Sequence, residues 1–178
     1  MYKVSRLHWG CGNITPEGWI NSDLHPGPGV DISGNILDGL PLEDASIDYI
    51  SSQHALPELK IFEQVNALEE LYRVLRPGGV LRLCLPDLDK AIAAYQSRNS
   101  NYFLVWDWDT ISGNFITQML WYNYTHTMFT HEFTEELLRK AGFREVRRAQ
   151  FRQTNSQFPE IVELDNRENE SLFIEGYK

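Results

Sequence analysis

The chain has 178 residues, of which 42% are hydrophobic and 12% aromatic. That is enough apolar side chain to give one domain its own core and too much for a disordered polymer. A formal charge of -9 and a pI near 5.0 repel phosphate backbones and argue against a nucleic-acid partner. The basic run FREVRRAQFR, at strand spacing, reads as a solvated face. Cys11 and Cys84 form no disulfide framework. MYKVSRLHWG lacks the apolar centre of a signal peptide, and no run approaches the roughly 18 apolar residues of a membrane span. A cytoplasmic protein without membrane association is expected.

In chain order, VSRLHW predicts a strand that runs into the turn GCGN. GWINSDL predicts a second strand ending on an acid, and GVDI a weak third. In SIDYISS, Ile47, Tyr49 and Ser51 share one face and Asp48, Ile50 and Ser52 the other. IFEQVNALEELYRVL spaces Ile61, Val65, Leu68, Tyr72 and Leu75 as one helical stripe, and RPGG stops it. VLRLCLP is nearly continuous apolar chain, as for a strand covered on both faces. FTEELLRKAGF predicts a helix with Thr134 as N-cap, a Phe133–Leu138 staple and Gly142 at C′. FREVRRAQF and SLFIEGY close the chain as strands. Strands that alternate with helices and end on two strands predict a doubly wound, Rossmann-like α/β sheet, mostly parallel, with an antiparallel pair at one edge.

In such folds ligands bind beyond the carboxyl ends of the strands, beside the first strand, where GCGN falls. Read alone, GCGN fits a plain tight turn, a metal or redox cysteine, or a floor on which a ligand rests against backbone. Asp23 closes the second strand, where a carboxylate can accept from both hydroxyls of a ribose; an Asx turn in SDLHPGPG is the other reading. Together the two features lay out a nucleoside site. Only NITPE separates Gly12 from GWINSDL, too little for the helix whose N-terminus would hold a pyrophosphate. The third glycine of the dinucleotide fingerprint is also missing, so a nucleoside without phosphates fits better than NAD or FAD.

LHWGCGN, GWINSDLHPG, VDISGNILDGLPLEDASIDYISSQHAL, ELYRVLRPGGVLRLCLPDLD and FTEELLRKAGFREVRR, in that order, resemble the class I S-adenosylmethionine (SAM)-dependent methyltransferases. The likeness runs over Leu7–Asp89 and from Phe133 to the end. It implies a single domain over 1–178 with a seven-stranded sheet, an antiparallel last strand, an abbreviated first helix, and SAM as cofactor. It also implies that Gly10, Cys11 and Gly12 line the methionine and ribose part and that Asp23 takes the ribose hydroxyls. Leu24 would lie against the adenine, Asn35 and Ile36 at its edge, and Ser52, Gln53 and His54 on the sulfonium side. On this reading Cys11 is a packing residue. Relatives often read His-x-Leu-Glu-His after the fourth strand, where this chain has His54-Ala55-Leu56-Pro57-Glu58.

The aromatic segment YFLVWDWDTISGNFITQMLWYNYTHTMF, within about 99–130, falls where the family inserts substrate-recognition elements. It is read as a lid or acceptor wall, as small-domain core, or as a homodimer surface. Asp107 and Asp109 within it could meet a polar or cationic acceptor or sit in solvated turns. His54 and His126 are the catalytic candidates, with Glu58 and His131 behind them. No metal is expected, because His126 and His131 stand five apart and do not share a helix face. The expected reaction is in-line methyl transfer to a small-molecule or sugar-like acceptor. A degenerate methyltransferase fold kept for binding, or an NAD-dependent oxidoreductase, are the alternatives.

Overall fold

The computed structural model describes residues 4–178. The first three residues, part of the MYKVSRLHWG stretch and of the domain expected over 1–178, lie outside the described residues. Seven strands form one sheet: β1 (Arg6–Trp9), β2 (Ile20–Asp23), β3 (Ile32–Ser33), β4 (Ile47–Gln53), β5 (Leu75–Pro86), β6 (Glu145–Ala149) and β7 (Ser171–Tyr177). Their spatial order is β3-β2-β1-β4-β5-β7-β6. Neighbours from β3 to β5 are parallel, and β7 runs antiparallel to both β5 and β6. The antiparallel element is therefore one inserted strand, with β6 outside it. The abbreviated first helix is reduced to turns, since residues 10–19 contain no helix.

Four α-helices accompany the sheet: α1 (Gln64–Val74), α2 (Leu88–Gln96), α3 (Ile111–Leu120) and α4 (His131–Lys140). The buried stripe of α1 is Gln64, Ala67, Leu68, Leu71 and Val74. It is rotated from the expected one because Ile61 belongs to a preceding 3-10 turn (Ile61–Glu63) and is 60% exposed. Helix α4 begins a turn earlier than expected. Thr130 is its N-cap, accepting from Phe133 N at 3.2 Å, while the hydroxyl of Thr134 donates back to Thr130 O at 2.7 Å. Gly142 occupies C′ at φ +106°, its N–H donating to Arg139 O. The stop signal RPGG leaves its mark in register: Ile47 pairs with Leu75 but Tyr49 with Val80, so residues 76–79 loop out of the ladder.

Leu81, Leu83 and Leu85 of β5 point into the main core, shared with Leu7, Ile50 and the inner faces of α1 and α4. The alternate residues of β5 point to the opposite face, where Val80 packs with Trp19, Tyr49 and Ile161, and Cys84 with Ala149 and Phe173. That face is covered here by the largely irregular segment 150–170, whose 3-10 turn Pro159–Val162 carries Ile161. Arg82 stands between these two small clusters, fully buried. Its five N–H groups meet five acceptors: both oxygens of Asp165 (2.7 and 2.5 Å), Glu175 Oε1 (2.7 Å), and the carbonyls of Gln150 (2.9 Å) and Gln153 (3.0 Å).

Replacing Arg82 by Met strands two buried carboxylates and two carbonyls. Arg82→Met is expected to lower the unfolding free energy by about 3–5 kcal/mol, read from urea denaturation. An unchanged midpoint would show that the carboxylates find other partners.

Candidate functional site

The site is built on the carboxyl ends of β1, β2 and β4. Gly10 turns the chain at φ +71°, and a Cβ there would stand 2.1 Å from that of Ala55, so no larger residue fits. The N–H groups of Gly10 and Cys11 both donate to Ser22 O (2.8 and 3.0 Å), which ties the turn to β2. Gly12 follows at φ +52° with open space where a Cβ would stand. Its N–H donates to Asp23 Oδ2 at 2.8 Å, and the N–H of His25 donates to Asp23 Oδ1 at 3.1 Å. Each carboxylate oxygen thereby uses one lone pair and keeps another.

These residues line a cavity of about 510 Å³. Gly10, Gly12 and Asp23 form one wall, Leu24, Asn35, Ile36 and Leu37 a second, and Gln53, His54 and Ala55 a third. Eight of the ten cofactor-facing residues expected from the sequence are thus brought together. Cys11 and Ser52 do not reach the wall. Cys11 is 3% exposed beneath the turn, with burial and then Asp23 pushing its thiol up, so it stays protonated. Ser52 is 1% exposed on the same face of β4 as Ile50, its hydroxyl unpartnered. Asn35 caps a 3-10 turn (Ile36–Asp38), accepting from Leu37 N at 3.0 Å.

A second cavity of about 200 Å³ shares Gln53, His54 and Glu58 with the first. Its other walls come from far along the chain: Tyr102, Met119, Trp121 and Tyr124 from the aromatic segment, and Arg167 and Glu170 from the segment before β7. Arg167 pairs with Glu170 at 3.1 Å and lies over the Trp121 ring at 5.1 Å. Arg167 and Glu170 carry no local signal in the sequence; the β5–β7 pairing delivers them. Asp107 and Asp109 line neither of these cavities; Asp107 accepts from Tyr122 OH at the surface.

His54 ends the β4 arm in the left-handed region, at φ +55°. Its N–H donates to Cys84 O at 2.8 Å, and its Nε2 is 2.8 Å from Ser171 Oγ. Burial, with Arg167 adding to it, pushes its imidazole down to about 3, so it is neutral near pH 7. His126 lines the larger cavity, and its N–H donates to Pro57 O. His131, in the first turn of α4, lines neither cavity. Partial desolvation, then the charge of Asp23, raises the Glu58 carboxyl, with His25 and His126 opposing. Burial likewise raises Glu170, against Arg167. Among the described residues, no cluster of His, Cys, Asp and Glu could hold a metal, and no helix is long and apolar enough to cross a membrane.

The strand order and the strand-end cavity define a Rossmann-like methyltransferase fold. It is shared with a SAM-dependent methyltransferase of Thermotoga maritima (20% identical, covering 100% of this chain and 84% of that one, TM-score 0.61). A SAM-dependent methyltransferase of Archaeoglobus fulgidus is also similar (13% identical, 98% and 86%, TM-score 0.60). Residues 19–83 match the family described as "Methyltransferase domain". A Mycolicibacterium smegmatis protein whose name begins "Probable S-adenosylmethionine-dependent methyltransferase" is 40% identical over 60 residues, 34% of this chain. That match spans 23% of the relative's length. The fold is thus that of the SAM-dependent methyltransferases to which the chain is similar, and the family match covers residues 19–83.

Because His54 binds a proton less readily folded than unfolded (about 3 against 6.5), its share of stability is present above pH 6.5 and is lost as pH falls toward 3. The melting temperature is expected to drop less steeply between pH 7 and 4 in His54→Asn, a residue that accepts positive φ, than in the wild type. Parallel curves would show that His54 is not held neutral.

Proposed function

We propose that this chain transfers the methyl group of SAM to a small-molecule acceptor held in the 200 Å³ cavity. The observation that carries this reading is Asp23, set on the wall of a large cavity whose Gln53–His54–Glu58 side also lines a second, smaller one. The residues present fit SAM. Asp23 keeps a free lone pair on each oxygen for the ribose hydroxyls, and the open position at Gly12 lets the ligand meet backbone. Leu24, Ile36 and Leu37 offer an apolar slot for adenine, and Asn35 a polar edge to it. No helix starts at the glycine turn to hold a pyrophosphate, which disfavours NAD.

When bound, SAM supplies a methyl carbon on a positively charged sulfur, a group already activated for displacement. The chain's own work is then to hold the acceptor in line and to keep water away. Neutral His54, bonded to Ser171, serves this reading as a positioning residue that fixes the β4 arm between the cavities. Glu58, on the wall common to both cavities, stands where a proton could be taken from an acceptor, whereas His126 lines only the larger cavity. The aromatic segment about 99–130 supplies nearly half of the acceptor wall, in keeping with a recognition element or lid. Sugar-like hydroxyl acceptors remain the other substrate class. Exposed Trp106, Trp108 and Ile116 offer apolar surface to a homodimer, and two free cysteines suit a cytoplasmic setting.

Calorimetric titration with S-adenosylhomocysteine is expected to show binding, and Asp23→Ala to weaken it by about 30-fold or more, the worth of a lost charge-assisted contact of about 2 kcal/mol. Circular dichroism checks that the variant is folded. Absence of binding to the wild type would overturn the cofactor; unchanged affinity in Asp23→Ala would overturn the ribose assignment.

A further inference from the structure

A row of hydrogen bonds runs beneath the wall that the two cavities share. It starts at the carbonyl of Ile161, in the segment that covers this face of the sheet, which accepts the hydroxyl of Ser51 at 3.3 Å. Ser51 Oγ accepts in turn from Gln53 Nε2 at 2.8 Å. Gln53 Oε1 is buried with no partner, and so is Nδ1 of His8. His8 stands on β1, 2% exposed, in register with Ser51, so its side chain leaves the sheet on the face that carries Ser51 and Gln53.

The polarity of this row is fixed at one end. A carbonyl only accepts, so the one O–H of Ser51 is spent on Ile161, and its oxygen meets Gln53 as an acceptor. The amide must then turn its nitrogen to Ser51 and its oxygen away, toward His8. Gln53 and the backbone of Ile14 are the hydrogen-bonding groups at the His8 ring, and both favour its protonated form, as does the charge of Asp23. Burial outweighs them and pushes the imidazole down, so it is neutral near pH 7 and has one N–H for two acceptors. Ile14 is 55% exposed and water can serve it; buried Gln53 Oε1 has no such recourse. A proton on Nδ1 satisfies both buried orphans with one bond.

We infer that His8 is a positioning residue whose Nδ1–H donates to Gln53 Oε1 and so fixes the Gln53 amide at the wall between the cavities. The bond stands apart from the methyltransferase reading above; its effect on ligands rests on that reading. Gln53 lines both cavities, yet its oxygen has no surface there and one of its N–H groups is spent on Ser51. The held amide therefore offers a ligand one N–H and no oxygen. Its complement is a carboxylate, carbonyl or ether oxygen. An amide free to turn could present either atom.

Long-range ¹H–¹⁵N correlation spectra read which ring nitrogen carries the proton, since the partner of one nitrogen sets the tautomer. The chain has five histidines, and the signal missing from His8→Asn belongs to His8. At pH 7, without ligand, His8 is expected as the Nδ1–H tautomer. An Nε2–H ring or an imidazolium would overturn the inference whether or not the chain binds SAM. S-adenosylhomocysteine affinity, with circular dichroism to check folding, tests the consequence. His8→Leu keeps apolar bulk without a donor, whereas His8→Asn keeps an N–H close to the place of Nδ1. His8→Leu is expected to weaken binding about fivefold or more, and His8→Asn to stay within about twofold of wild type. A space-filling role predicts the reverse order, and that order would remove His8 from control of Gln53. Should the wild type bind no S-adenosylhomocysteine, the cofactor reading falls and the tautomer alone decides the role of His8.

Discussion

The buried guanidinium of Arg82 is the interaction on which the rest of the architecture leans. It lies on β5, near the middle of the sheet, on the face covered by the largely irregular segment 150–170. An arginine with two carboxylates in a core is expensive to desolvate, and it is tolerable only when every donor and acceptor is met. Here the five donors of Arg82 are matched, Glu175 Oε2 takes the hydroxyl of Tyr177 at 2.7 Å, and Asp165 Oδ2 also takes the N–H of Arg152 at 2.8 Å. The cluster thus joins β5, β7 and segment 150–170 in one fixed arrangement. A wholly apolar replacement could seal the face as well, but it would not dictate where an irregular segment must run.

That course has a consequence at the site. Segment 150–170 delivers Arg167 and Glu170 to the smaller cavity just before β7 begins. The backbone of Glu170 accepts from Asp87 N at 2.9 Å, and Lys90 reaches the carbonyls of Glu168 and Ser171 (3.3 and 2.8 Å). Ser171 in turn holds His54. A chain of contacts therefore runs from the Arg82 cluster to the wall shared by both cavities. The larger cavity carries Asp23, Glu58 and Glu63 against Lys60, a negative lining. It favours a cationic ligand and disfavours phosphates, in keeping with the acidic chain as a whole.

What could be read from the residues followed from local rules. The glycine turn, the acid ending β2 and the apolar run of β5 depend on neighbours in sequence, and the structure places them as expected. The buried stripe of α1 departs from the periodic one because periodicity alone does not reveal that Ile61 lies in a 3-10 turn. Thr134 carried a good capping signature, but Thr130 captured the helix end and Thr134 bonded back to it. Helix α2, capped by Asp87, escaped notice although its residues are ordinary helix formers. Of the smaller cavity, Gln53, His54 and the aromatic wall are legible in the sequence, whereas Arg167 and Glu170 join them only through tertiary packing. Arg82 sat in a run read as apolar, and nothing nearby in sequence announces its partners 83 and 93 residues away.

The two cavities also differ in how they are held. The walls around Gly10 and Asp23 are strand ends, fixed by ladder and backbone hydrogen bonds, and so are set by the fold itself. Trp121, on the wall of the smaller cavity, opens a run with Tyr122 and Asn123 of three consecutive non-glycine residues at φ 41°, 54° and 75°. Such a conformation costs on the order of 1–3 kcal/mol per residue and persists only where surrounding contacts impose it. Here the contacts are side-chain ones: Arg167 over Trp121, and Tyr122 OH on Asp107 at 2.5 Å. Changes in these side chains can reshape the smaller cavity without disturbing the sheet, whereas a change at Gly10 or Asp23 strikes the fold's own hydrogen bonds. The shape of the smaller cavity is therefore free to vary beside a strand-end half that is not.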